Sequence, residues 1–204
     1  MPPEPTVFIV DDDEAVREGL SALLVAKRYK VETYPSAEAF LAAVAPERAG
    51  CLIADIRMAG MSGMELQREI KRRGIPTPVV IITGHGEVPL AVAALKAGAV
   101  DFLEKPFDSD AILASVEEAM RRLGKSKVQG FDRATIAERV AGLSEREREV
   151  MDLVVAGQPN KVVAHRLGIA TRTVEIHRSR VMEKLGARNL SELVRMAIAL
   201  ENDR

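Results

Sequence analysis

The sequence predicts an α/β protein in two parts. The first is a doubly wound, flavodoxin-like domain on a five-stranded parallel sheet, and the second is a small all-α domain of four helices. Three observations carry this. Short apolar runs alternate five times with longer amphipathic segments between residues 6 and 122. Most of those runs end in a polar residue, and from about residue 142 onward the strand signals stop. Alternation of strand and helix implies right-handed βαβ crossovers and hence a parallel sheet.

The strand runs are "TVFIV", "KVETY", "CLIAD", "PVVIIT" and "VDFLEK". Helical periodicity lies between and after them, near 14–27, 36–45, 63–73, 87–97 and 108–122. The punctuation agrees: Ser36 can N-cap, Pro89 falls in a first turn, and Gly74 and Gly98 follow helix ends. These elements make up residues 1–123. The polar stretch "GKSKVQGFDRATIAERVAG" follows, with a lone Phe131, and 124–141 reads as a linker, in part helical.

Residues 142–204 hold only helical signals. Ser144 with Glu147 forms a capping-box pattern opening a helix that stops at Gly157. Asn160 is positioned to cap a second helix ending at Gly168, and Thr171 a third ending at Gly186. "NLSELVRMAIAL" supplies the fourth.

The chain has 204 residues, 47% of them hydrophobic and 3% aromatic, so a core can form with few rings. Its one cysteine, Cys51, excludes an internal disulfide framework and begins an apolar run, as a buried thiol would. No apolar stretch reaches the roughly 18 residues of a membrane span, and "MPPEPTVF" lacks the basic start of a signal peptide. A cytoplasmic protein with no membrane partner is expected. Charge is uneven: residues 1–123 carry 14 basic against 19 acidic residues, and 124–204 carry 15 against 11. The basic half points to a polyanion.

In a doubly wound sheet, ligands gather beyond the carboxyl ends of the strands. There the sequence sets Asp11 and Asp12, Asp55, Thr83 and Lys105. With strand order 2-1-3-4-5 the four strands are neighbours and these side chains converge. Clustered carboxylates call for a hard cation, most naturally Mg²⁺. An ammonium and a hydroxyl suit the oxygens of a transferring phosphoryl group, with one carboxylate as nucleophile. Two schemes remain open at this point. Asp11-x-Asp13 is similar to the first motif of haloacid-dehalogenase-type phosphatases, with Asp11 as nucleophile. Alternatively Asp55 is the nucleophile and Asp11 and Asp12 hold the metal.

"VDDDEAVREGL", "LIADIRMAGMSGMEL" and "VVIITGHGEVPLAVAALKAGAVDFLEKPF" resemble the receiver domain of two-component response regulators over residues 6–122. The resemblance implies Asp55 as phosphoacceptor, Thr83 and Lys105 as its support, and Thr83 with Phe102 as the switch. It implies metal positions Asp11, Asp12, Asp55 and Arg57, with Asp12 the direct Mg²⁺ ligand and Asp13 only a helix cap. It also implies a cis Lys105–Pro106 peptide. One departure is Ala59, which stands where the family carries proline. His85, in "TGHG", is expected to be an exposed loop residue that could tune dephosphorylation.

"NKVVAHRLGIATRTVEIHRSRVMEKLG" reads as helix, glycine turn, helix, with stripes Val162, Val163, Leu167 and Val174, Val181, Leu185. Such a pair suits a helix-turn-helix with its second helix in the major groove. "LSEREREVMDLVVAGQPNKVVAHRLGIATRTVEIHRSRVMEKLGA" resembles the LuxR/NarL-type helix-turn-helix, in the FixJ branch of nitrogen-fixation regulators. That resemblance implies base contacts from Glu175, Ile176 and Ser179. Phosphate contacts fall to Lys161, Thr171, Arg172, Thr173, Arg178 and Lys184. Glu175 either accepts from cytosine or holds a neighbouring arginine, and His177 is expected to pack inside the domain. Taken together, the resemblances imply a transcription factor and not a metabolic enzyme. Its expected partners are a sensor histidine kinase, promoter double-stranded DNA and RNA polymerase. It is expected to form a homodimer once phosphorylated and to activate transcription.

Overall fold

The computed structural model describes residues 5–45, 48–84, 88–123 and 132–201. His85 and Phe131 lie outside them. The elements run β1 (Thr6–Val10), α1 (Glu14–Ala26), β2 (Lys30–Tyr34), α2 (Ala37–Ala43), β3 (Gly50–Asp55), α3 (Gly63–Arg72), β4 (Val79–Thr83), α4 (Val88–Lys96), β5 (Asp101–Glu104), α5 (Ser109–Arg122). Helices α6 (Arg133–Ala141), α7 (Glu145–Val155), α8 (Asn160–Leu167), α9 (Thr171–Leu185) and α10 (Leu190–Glu201) follow. Two compact units result, Met1–His85 with Ala97–Ser126, and Gly86–Lys96 with Lys127–Arg204.

In the first unit all strands pair in parallel in the order β2-β1-β3-β4-β5. β1, β3 and β4 are buried along their whole length, as strands covered on both faces must be, which is why they read as unbroken apolar runs. Alternate residues serve opposite faces. Val7, Ile9, Cys51, Ile53, Val80 and Ile82 form one core with Leu20 and Leu24 of α1 and Ile112, Val116 and Ala119 of α5. Phe8, on the other face, meets Phe40 of α2 edge-on at 5.5 Å. Burial pushes the Cys51 thiol up to about 12, so it stays protonated and packs as an apolar group.

Capping fixes the helix starts. Asp13 accepts hydrogen bonds from the Ala15 and Val16 N–H groups, Ser36 from Ala39, and Ser62 and Ser144 form reciprocal capping boxes with Glu65 and Glu147. Each such cap contributes about 1 kcal/mol. Two expected caps are displaced by one residue. Asn160 and Thr171 are the first residues of α8 and α9, and the cap positions hold Pro159 and Ala170, neither with a side-chain bond.

The second unit encloses a core of Val150, Val154, Val163, Val174, Val181, Leu185 and Leu193. Val162 is not part of the α8 stripe, since it is 37% exposed and Val163 and Ala164 take the inner positions. Residues 133–141, within the stretch read as a partly helical linker, form α6, and its Ile136 joins this core. Its Arg139 Nη1 donates to the Leu185 carbonyl at the end of α9, 2.7 Å away.

Candidate functional site

Parallel register aligns the carboxyl ends of the four strands. Val10 sits beside Ala54, Asp55 beside Ile82, and Thr83 beside Glu104. The next residues out therefore share one rim, and two acids there converge on one ammonium. Lys105 Nζ lies 2.9 Å from Asp11 Oδ2 and 2.5 Å from Asp55 Oδ1. Asp11 is 1% exposed, and Asp55 also accepts the Arg57 N–H at 2.7 Å. Thr83 is buried, its hydroxyl donating to the Gly84 carbonyl at 3.3 Å. The Lys105–Pro106 peptide is cis. Phe102 is already buried.

Burial pushes the Asp55 carboxyl above the ordinary carboxylate range, with the Asp11 charge adding to it and the Lys105 ammonium opposing it. Burial acts against the Lys105 charge too, but its bonds to Asp55 and Asp11 outweigh that and its pKa is raised. The Lys105 ammonium thus offsets part of the penalty that burial puts on the Asp55 charge.

Asp12 stands apart. It is exposed, and its Oδ2 accepts the Ala59 N–H of the β3–α3 loop at 3.0 Å. A cluster of three metal-binding side chains is accordingly absent among the described residues. The donor chemistry still fits a hard dication: three carboxylates supply only oxygen, and the ammonium bonded to two of them supplies a single positive charge. A guanidinium cannot ligate a cation, so Arg57, whose side chain is exposed, could serve only through its main-chain carbonyl. Asp13 belongs to the cap of α1.

Two supports of this rim escaped the sequence reading. Arg17 Nη1 donates to the Asp11 carbonyl at 2.8 Å, reaching back from α1. Gly63 opens α3 so close to the acceptor strand that a Cβ there would lie 2.2 Å from the Asp55 carbonyl oxygen. Neither leaves a local sequence pattern, because each is a side-chain-to-backbone or backbone-to-backbone approach between elements.

In the second unit, α8 and α9 are joined by a turn at Gly168, whose φ of 64° is the left-handed value glycine adopts without strain. Arg178 Nη1 donates to Asn160 Oδ1 at 2.7 Å, and Arg146 Nη2 to the Leu167 carbonyl at 2.5 Å, fixing both ends of α8. With Val174, Val181 and Leu185 turned inward, the opposite face of α9 exposes Arg172, Glu175, Ile176 and Ser179, Ile176 at 44%. Lys161 on α8 is exposed, and Thr171 and Thr173 are half-buried in the first turn of α9.

Three expectations there are sharpened. Arg172 Nη1 is 3.0 Å from Glu175 Oε2, so Glu175 holds the arginine in this state. Lys184 lies off the outward face and pairs with Glu147 at 2.6 Å, tying α9 to the capping box of α7. His177 is half-buried, and its Nδ1 is covered and without a hydrogen-bond partner.

Comparison with known proteins agrees with this geometry. The response regulator receiver domain model matches residues 7–117, and that of the luxR family of bacterial regulatory proteins matches 141–197. The chain is 48% identical over 198 residues to the transcriptional regulatory protein FixJ of Azorhizobium caulinodans, covering 97% of this chain and 94% of that one. The C4-dicarboxylate transport transcriptional regulatory protein DctR of Rhodobacter capsulatus is 46% identical over 193 residues, 94% of this chain and 98% of that one. The crystal structure of full-length FixJ from B. japonicum superposes with a TM-score of 0.56 at 43% identity, covering 98% and 99% of the two chains. No helix among the described residues is long and apolar enough to cross a membrane.

Proposed function

Because the chain belongs to the response regulators that join a receiver domain to a LuxR-type DNA-binding domain, we propose that phosphorylation of Asp55 by a partner histidine kinase controls its grip on promoter DNA. The observation that carries this is the Lys105 ammonium shared between Asp11 and Asp55. We take the receiver as residues 1–123 and the DNA-binding domain as 142–204, with α6 packed onto the latter.

Asp11, Asp12, Asp55 and the main chain of Arg57 would hold Mg²⁺. When bound, the ion supplies positive charge to the phosphoryl oxygens. An Asp55 carboxylate oxygen attacks phosphorus as the bond from phosphorus to the kinase histidine nitrogen breaks. The Lys105 ammonium, 2.5 Å from Asp55 in the resting state, is placed to stay on the new phosphoryl oxygens. Thr83 exchanges its bond to the Gly84 carbonyl for one to the phosphoryl group, and this displacement at the end of β4, felt by Phe102 on β5, is the switch. A groove of about 400 Å³ lined by Val16, Leu20, Leu23 and Phe107 opens beside Lys105 and offers the kinase an apolar landing surface.

Phosphorylation then favours a homodimer, which presents two copies of α9 about one DNA turn apart. Glu175, Ile176 and Ser179 face the base edges. Lys161, Thr171, Arg172, Thr173 and Arg178 serve the backbone, Arg178 by holding α8 against α9. Lys184 is assigned to holding α9 on α7. Contact of the bound dimer with RNA polymerase makes the outcome activation.

The test is full-length protein, wild type and Asp55→Asn, treated with Mg²⁺ and acetyl phosphate, then read by mass, sedimentation and binding to genomic fragments. Wild type should gain one phosphoryl group, dimerise and bind DNA more tightly, and Asp55→Asn should do none of these. Equal dimerisation and affinity for the two proteins would overturn the reading. A covalent phosphoryl group that survives in Asp55→Asn but not in Asp11→Asn would favour the phosphatase-type scheme.

A further inference from the structure

The three acids at the carboxyl end of the sheet are not equivalent in the resting chain. Asp11 and Asp55 bond Lys105, and Asp12 is bonded instead to the loop after β3, where Ala59 donates its N–H to Oδ2 at 3.0 Å. Other amides of that loop have other acceptors. Met61 N–H is taken by Glu38 Oε1 at 2.9 Å, and Ser62 N–H by Glu65 Oε2 at 2.9 Å. Arg57 donates its N–H to Asp55, two residues back, and Ala59 is the loop amide that bonds Asp12, across 47 residues of sequence. A carboxylate bonded to an N–H is stabilised in that pose more than one bonded to water, because the donor is fixed and already oriented.

We propose that the Ala59 N–H is a latch that sets the cation affinity of the receiver site by holding Asp12 away from Asp11 and Asp55. To complete the donor set, Asp12 must give up the Ala59 bond and turn toward the other two carboxylates. That cost falls on every binding event, so the ion binds more weakly than the same three acids would allow. The latch also keeps three carboxylates from crowding one another in the metal-free chain. A single ammonium then suffices for the pair that remains. This inference rests on the Mg²⁺ reading above, and the test separates the two.

Mg²⁺ is titrated by calorimetry into full-length wild type, Ala59→Pro and Ala59→Gly. Proline has no N–H to give, and glycine keeps it while loosening the loop. Ala59→Pro should bind Mg²⁺ tighter by about tenfold, the equivalent of one hydrogen bond to a carboxylate released beforehand. Ala59→Gly should stay within about twofold of wild type. In metal-free wild type the Ala59 amide should resist hydrogen exchange, and that protection should fall by about fivefold or more at saturating Mg²⁺. Weaker binding by Ala59→Pro, equal tightening by Ala59→Gly, or an Ala59 amide unprotected in the metal-free chain would each overturn the latch. Absence of Mg²⁺ binding in all three proteins, with the amide protected, would overturn the metal reading on which the latch depends.

Discussion

The receiver rim and the outward face of α9 both gather charged side chains, but they handle charge in opposite ways. At the rim, Asp11 and Asp55 are taken out of water and held by one ammonium. On α9, Arg172 and Glu175 pair in the open, their side chains 82% and 46% exposed. A buried charge that loses its partner costs several kcal/mol, whereas an exposed pair contributes little. The rim should therefore behave as an all-or-nothing device and the helix face as a graded one. One suits a switch with two states, and the other suits a surface tuned to read many sequences.

The largest effect that would test this contrast is at the rim. Lys105→Met leaves two facing carboxylates with no ammonium, and phosphoryl incorporation from acetyl phosphate should slow by about 10²–10³. A loss of only severalfold would mean the rim is as tolerant as a surface. The backbone gives a second handle there. Gly63→Ala places a methyl group where the Asp55 carbonyl already sits, and the receiver should lose about 1–3 kcal/mol in urea unfolding. On α9 the expected losses are smaller and separable. Ile176→Ala should relax discrimination at one base pair by about 1 kcal/mol. Lys161→Ala should weaken all DNA sequences alike and lower the salt slope of binding by about one.

The smallest effect concerns a pair that crosses the contrast, since Glu147 is buried and Lys184 is half open. The hydrogen bond from Lys184, with the Ser144 N–H, holds the Glu147 carboxyl down to about 2, below the ordinary value of about 4.3. A depressed folded pKa gives stability that is present above the unfolded value and lost as pH falls through the folded one. Acid unfolding of the helical unit followed between about pH 5 and 2 should thus be less steep in Lys184→Met than in wild type.

The same contrast explains what the sequence made legible. Parallel strands buried on both faces leave apolar runs, and the residue after each run is placed by the fold, so Asp11, Asp55, Thr83 and Lys105 could be found without coordinates. The strand order followed, as did the caps of Asp13, Ser36 and Ser144. What could not be read were bonds linking a side chain to distant backbone: Arg17 to the Asp11 carbonyl, Arg146 to Leu167, Ala59 to Asp12. Nothing in a helical period records those. Asn160 is not the cap, its side-chain oxygen accepting from Arg178 instead, and Val162 lies outside the stripe because the helix turns Val163 and Ala164 inward. The helical part expected within 124–141 is α6, whose extent was hard to read because Ile136 is its one buried residue.

That short helix has a consequence for how the DNA-reading part can be lifted out of the chain. The inherited module, as family resemblance delimits it, begins at residue 141, after nearly all of α6 has passed. A fragment cut there would carry the whole helix-turn-helix yet leave behind Ile136 and the Arg139 guanidinium that closes the last turn of α9. Its recognition helix would fray from the far end. The smallest piece that evolution shuffles is thus shorter than the smallest piece that physics completes.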